Sequence, residues 1–232
     1  MKTLLIALLI CCTCLHSQNT EIKPILEIQK SSNVGFKNTG FWSNNNKSKE
    51  PIEGTPYLFD NWENEARLYL NDEIFVATLF NFNIEQEQFE AKFSEDSVLI
   101  IDTKNIDKIV INAIVFKSYP YVTSYDGRFL QELKTTRGFD VLKKYYVKIK
   151  EGKYNPMTQQ QIVADKYIKY EEYFILNKQS STINAIKLNQ KNILELIDPS
   201  LHHSLNQFVK NNKLNYKDED DLIKILTYYN SL

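Results

Sequence analysis

Arginine is nearly missing from this chain. Of its 28 basic residues only Arg67, Arg128 and Arg137 carry a guanidinium, and the formal net charge is -1. Nucleic-acid recognition draws on clustered guanidinium groups and a basic surface, so nothing here supports it. Glycine is equally sparse, at six residues. That leaves no glycine-rich phosphate cradle and no dinucleotide fingerprint. No apolar run approaches the roughly 20 residues that a membrane-crossing helix needs. The three cysteines all fall at positions 11, 12 and 14, and the three histidines at 16, 202 and 203. With 43% hydrophobic and 25% charged residues, the remainder has the composition of an ordinary globular protein rather than a fibrous or disordered one.

Lys2 followed by the apolar run Leu4 to Cys14 has the layout of a signal peptide. Residues 1–17 are read as that segment, with cleavage expected between Ser17 and Gln18. None of the three cysteines has the small residue before it and the aliphatic residue three before it that lipoprotein processing uses. Export without lipid is therefore the expectation, to the periplasm or the extracellular side, with outer-membrane association left open. Cleavage there leaves a mature chain with no cysteine. Disulfides, thiolate metal sites and cysteine nucleophiles then drop out together. No transmembrane span is expected in the mature chain, and no cofactor.

Residues 18–53 read as a polar leader, with Phe36, Phe41 and Trp42 able to dock it as a tail. Residues 54–188 are strand-like. Tyr57–Phe59 opens a strand, and Ile74–Ile84 alternates with apolar residues on both faces. Phe89, Ala91 and Phe93 alternate with Gln88, Glu90 and Lys92. Ile109–Phe116 is a continuous apolar run. Phe139–Lys150 puts Phe139, Val141, Tyr145, Val147 and Ile149 on one face and lysines on the other, which predicts a sheet with one wet face. Asp126-Gly127 predicts a tight hairpin. Ile168–Leu176 and Ile183–Leu188 complete the series.

Residues 189–232 switch to helical spacing. Asn189 is placed to cap one helix, and Asp198-Pro199 to start a second. Leu222, Ile225, Leu226 and Tyr229 form the stripe of a third, whose first turn collects Asp218 to Asp221. Strands followed by helices predict an α+β fold: a curved antiparallel β-meander with a small helical cap packed on it.

Four segments also carry a resemblance. Gly54-Thr55-Pro56-Tyr57-Leu58-Phe59, Asn81-Phe82-Asn83, Leu142-Lys143-Lys144-Tyr145 and the ending Asp221-Leu222-Ile223 to Tyr228-Tyr229-Asn230-Ser231-Leu232 resemble a group of exported hypothetical proteins of Bacteroidota-type bacteria. The group has no established activity. The resemblance implies location and architecture and carries over no catalytic residue.

Adjacent His202 and His203 point about 100° apart on a helix and cannot share a metal as an i, i+4 pair would. No metal site is expected and no catalytic residue is assigned. Asp60, Glu63 and Glu65 around Trp62, with Glu171 and Glu172, are the carboxylates a hydrolase would draw on. The aromatic residues are the better candidates. Tyr119, Tyr121 and Tyr125 share parity, and with Trp62 they are the expected contact residues. The reading is a non-enzymatic binding or accessory module of the cell envelope, its partner an envelope protein, a glycan or a lipid. The alternatives are a carrier of an apolar ligand and a carboxylate-dependent hydrolase.

Overall fold

The computed structural model describes residues 22–25, 52–94, 97–119, 129–158 and 160–232. The expected signal segment, Phe36, Phe41, Trp42, Tyr121, Tyr125 and the Asp126-Gly127 turn lie outside the described residues.

The fold is α+β, mostly strand with short helices at the C-terminal end. The strands are β1 (Ile22–Pro24), β2 (Ala66–Leu70), β3 (Glu73–Ala77), β4 (Phe80–Asn83), β5 (Gln88–Ser94), β6 (Ser97–Ile100), β7 (Lys108–Ile111), β8 (Ile114–Ser118), β9 (Phe129–Thr135), β10 (Phe139–Lys150), β11 (Lys153–Tyr154), β12 (Gln161–Val163), β13 (Lys166–Asn177) and β14 (Thr182–Ile186). The helices are α1 (Gln190–Leu194), α2 (His202–Asn211) and α3 (Glu219–Ser231). A nine-stranded sheet runs β1-β3-β2-β7-β8-β9-β10-β13-β14. Strands β4-β5-β6 form a second sheet and β11-β12 a small ribbon. This is not one continuous meander, because the chain leaves the large sheet after β3 and re-enters it at β7. Part of the leader joins the sheet: β1 pairs parallel to β3, and Ile25 is buried in the core behind it.

Two long apolar runs divide where no turn was expected. Ile109–Phe116 is a hairpin, not one strand. Asn112 and Ala113 sit at φ 48° and 70°, and two left-handed residues in succession make the primed turn that matches strand twist. Asn71 and Asp72 turn β2 into β3 in the same way. Ile74–Ile84 is likewise two strands, β3 and β4, in different sheets. Its two apolar faces belong to two layers. Tyr57–Phe59 makes only a bridge, Tyr57 to Asn83, rather than a strand.

One face of the large sheet carries two separate packed layers. Toward β2, β3, β7 and β8 it is covered by the small sheet, with Leu68, Phe75, Ile109 and Phe116 meeting Phe80, Phe82 and Phe89. Phe82 and Phe89 stack with centroids 4.6 Å apart, and Phe116 lies 5.5 Å from both. Toward β10 and β13 the helices cover it, with Phe139, Val141 and Ile175 against Ile193, Leu205, Leu222, Ile225 and Leu226. The caps expected at Asn189 and Asp198 are present, and Asp218, expected inside the first turn of the last helix, caps it instead. Asn189 accepts from Asn192 N, Asp218 from Asp221 N, and Asp198 from Ser200 N ahead of a short 3₁₀ turn that leads into α2.

The wet face expected behind β10 is wet only along its second half. Leu142 lies on that face with no exposed surface, clustered with Tyr119, Leu130, Leu176 and Ile183. Strand alternation places Leu142 beside Lys144 and Tyr146, so a third cluster backs the sheet where its strands are most crowded.

Candidate functional site

Residues 56–64 are strapped along β4 before the chain continues into β2. Leu58 N donates to Phe82 O (2.8 Å) and Ile84 N to Pro56 O (2.9 Å). The buried amide of Asn81 holds the strap with its full bonding capacity. Its Nδ2 donates to Phe59 O and Asn61 O, both at 2.9 Å, and its Oδ1 accepts from Phe59 N and Phe82 N. Asn64 Nδ2 adds bonds to Asn61 O and Phe80 O, also at 2.9 Å. Further along, Glu90 is buried within β5. It accepts from the Tyr57 hydroxyl (2.9 Å) and from Asn83 Nδ2 (3.1 Å). Burial, then the Glu90 carboxylate, pushes the Tyr57 phenol well above its usual range, so it remains a donor. These two donors are what let the Glu90 carboxylate sit inside.

This frame fixes Trp62. Its carbonyl accepts from Asn64 N (2.7 Å) and Phe80 N (3.0 Å). Its ring meets Tyr57 edge-on at 5.0 Å, and Lys92 Nζ stands 5.7 Å from the ring centre. Lys92 N donates to Leu79 O (2.8 Å), which draws the end of β5 alongside. The result is an open groove of about 420 Å3 lined by Asn61, Trp62, Glu63, Leu79, Lys92, Phe93 and Ser94. Phe93 is 42% exposed and Leu79 38%. Large apolar side chains and polar tips thus share one concave surface.

Trp62 is therefore at a groove, as expected of a contact residue. Tyr119 is not, being 4% exposed within the third cluster. There it fills the core, which is the ordinary fate of a tyrosine at a sheet edge. The stripe it was to form with Tyr121 and Tyr125 extends beyond the described residues. Sequence reasoning missed Leu79, Lys92 and Phe93. The available signal was Phe93 itself, which continues the inward parity of Phe89 and Ala91 past the end of the layer that covers them.

The carboxylates are mostly engaged elsewhere. Asp60 pairs with Lys169 at 2.8 Å and Glu65 with Arg67 at 2.8 Å. Glu171 lies 3.4 Å from Lys143. Of these acids only Glu63 lines the groove. His202 Nε2 contacts the carbonyls of Leu194 (2.9 Å) and Ile197 (3.0 Å), and so closes the end of α1. Among the described residues no group of three His, Cys, Asp or Glu is placed to hold a metal.

A second polar cluster sits at the seam between the two packed layers. Lys143 is 5% exposed on the covered face of β10. Its ammonium reaches Glu219 in the first turn of α3 at 2.7 Å and lies 4.9 Å from the Tyr145 ring. Tyr173 donates to Glu219 and Glu171, each at 3.2 Å. Burial pulls the Lys143 amine down, but the Glu219 hydrogen bond and Tyr145 outweigh it and hold it above its usual value. A permanently charged amine is a clamp rather than a nucleophile. A further hollow of about 530 Å3, between the end of the sheet and α1, is lined mostly by polar groups such as Arg137, Asn177, Lys178 and Glu195. It does not match an apolar ligand.

Among the described residues no helix is long and apolar enough to cross a membrane. Comparison with protein-family models, with curated proteins and with solved structures yields no match to this chain.

Proposed function

We propose that this protein is an exported, non-enzymatic binding module of the cell envelope that holds a glycan chain in the Trp62 groove. One observation carries the reading: an indole fixed by its own backbone bonds stands in an open groove beside Asn61, Glu63, Lys92 and Ser94. A sugar ring offers an apolar C–H face and a rim of hydroxyls. The indole matches the first; the amide, carboxylate, ammonium and hydroxyl match the second. An open groove admits a polymer that passes through it, whereas a lipid carrier needs an enclosed apolar cavity. A hot spot for a protein partner would be a more fully apolar pocket. Export rests on the layout of residues 1–17 and on the resemblance to exported bacterial proteins.

The test is affinity electrophoresis through gels containing polysaccharide from the organism's own envelope. The wild-type protein should be retarded and Trp62→Ala should run free. Equal mobility of the two in every polysaccharide fraction contradicts the reading.

A further inference from the structure

Strands β10 and β13 pair along all twelve residues, from Phe139 opposite Asn177 to Lys150 opposite Lys166. Their neighbours stop early: β9 pairs only with residues 140–143 of β10, and β14 only with residues 173–177 of β13. The remainder runs on as a two-stranded ladder, the arm, flanked at residues 165–167 by a parallel bridge from Glu53 and backed near its base by the packing of Tyr145 and Val147, and is tipped by the β11-β12 ribbon. The tip is firmly built. A Cβ on Gly152 would lie 1.8 Å from Val163 O, so only glycine fits. Asp165 Oδ1 accepts from Gly152 N (2.8 Å) and Gln161 Nε2 (3.1 Å). Asn155 Oδ1 accepts from Met157 N (2.9 Å) and Thr158 N (3.3 Å), and Asn155 N donates to Gln160 O (2.9 Å).

This ordered tip presents apolar side chains to solvent. Met157 is 93% exposed, Ile162 67%, Tyr154 53% and Val163 49%. Behind them is a collar of lysine and tyrosine. Tyr146 and Tyr170 stack at 5.3 Å, with Lys148 Nζ within 5.7 Å of both ring centres. Lys150 faces Lys166 directly across the ladder, and like charges placed so oppose pairing. Lys166 has Glu53 at 2.9 Å. Among the described residues Lys148, Lys150 and Lys153 enter no ion pair. The acids of the arm are the exposed Glu151 and the ribbon's Asp165 near the tip, with Glu171 and Glu172 further back opposite Tyr145 and Lys144.

We infer that the arm docks on an anionic lipid bilayer. Met157 and Ile162 enter the interface, Tyr154 lies at headgroup level, and Lys148, Lys150 and Lys153 meet the lipid phosphates. The order along the arm, apolar apex, then tyrosine, then lysine, is the order of depth in a membrane interface. Lysine alone, with no arginine in the arm, suits a diffuse layer of negative charge better than forked recognition of single carboxylates. The backbone bonds made within the tip let it enter the interface without stranding its N–H groups. The inference does not rest on the glycan reading.

Cosedimentation of the intact protein with vesicles of equal parts phosphatidylglycerol and phosphatidylcholine tests it. The protein should bind these vesicles and not pure phosphatidylcholine. Met157→Asp with Ile162→Asp should weaken binding at least about tenfold, and so should Lys150→Glu with Lys153→Glu. Trp62→Ala, and Lys210→Glu with Lys213→Glu at the end of α2 and in the turn after it, should bind as the wild type does. Melting temperatures equal to wild type confirm that the arm variants fold. Absence of binding to the anionic vesicles overturns the inference, as does binding that both arm variants retain.

Discussion

At the scale of single residues, two buried polar groups hold the molecule together. Asn81 uses both donors and its carbonyl oxygen on the 56–64 strap and β4. Asn81→Leu leaves two carbonyls and two backbone amides without their partner and should cost about 3 kcal/mol, read as a lower urea midpoint. Lys143 and its surroundings set the pH response. The folded values of Lys143, Tyr57, Tyr145 and Tyr173 all lie above their ordinary ones. For Lys143 burial works against the rise and Glu219 with Tyr145 overcome it; for the tyrosines burial leads and, except at Tyr145, where Lys143 opposes it, neighbouring carboxylates come next. A group raised on folding adds stability that is complete below its unfolded value and is lost as pH climbs through the folded one. The urea midpoint should therefore hold steady up to the ordinary tyrosine value of 10.0 and fall above it. A midpoint unchanged well into the alkaline range would contradict these assignments.

At the scale of elements, the sequence is legible where one environment covers a whole element. Strand β10 was expected at Phe139–Lys150 and is found there. Asn189 caps α1 as expected, and Asp198 caps the 3₁₀ turn that leads into α2, whereas Asp218, expected within the first turn of α3, is its cap. Legibility fails where the chain turns back or changes layer without a glycine or proline to mark it. The β7–β8 turn is made by Asn112 and Ala113, and alanine is no turn signal. The β3–β4 crossing passes through Thr78 and Leu79, which continue the apolar run. Periodicity reports that a face is buried, and is silent on which layer buries it. The arm supplies an element-scale prediction. Gly152→Ala cannot be accommodated against Val163 O, so the β11-β12 ribbon should open. Limited proteolysis within residues 151–165 should speed up, while the melting temperature, set by the packed layers, stays within a few degrees of wild type. Unchanged proteolysis would mean that the ribbon does not depend on that close approach.

For the whole molecule, a single sheet carries two packed layers that meet at the Lys143 clamp. The groove arises where the small sheet ends and leaves Leu79 and Phe93 uncovered beside Trp62. Trp62, expected as a contact residue from the sequence, lines the groove. Its groove partners were not expected there, because they come from another strand and are exposed only by the edge of a layer. Tyr119 was misleading for the converse reason, since shared parity says nothing about which face is covered. Export has its own check. Mass spectrometry of the protein from its envelope fraction should give a chain starting at Gln18 without lipid, and a lipidated cysteine at the N-terminus would contradict that.

The binding claim is tested most directly by the fluorescence of Trp62 itself. With Trp42→Phe, Trp62 is the sole tryptophan of the chain. Titration with envelope polysaccharide should shift its emission saturably, and Phe93→Ala should weaken the fitted affinity about thirtyfold, as expected of a hot-spot residue. An emission spectrum that does not move, with polysaccharide bound or not, would show that the groove is not where this protein holds its partner.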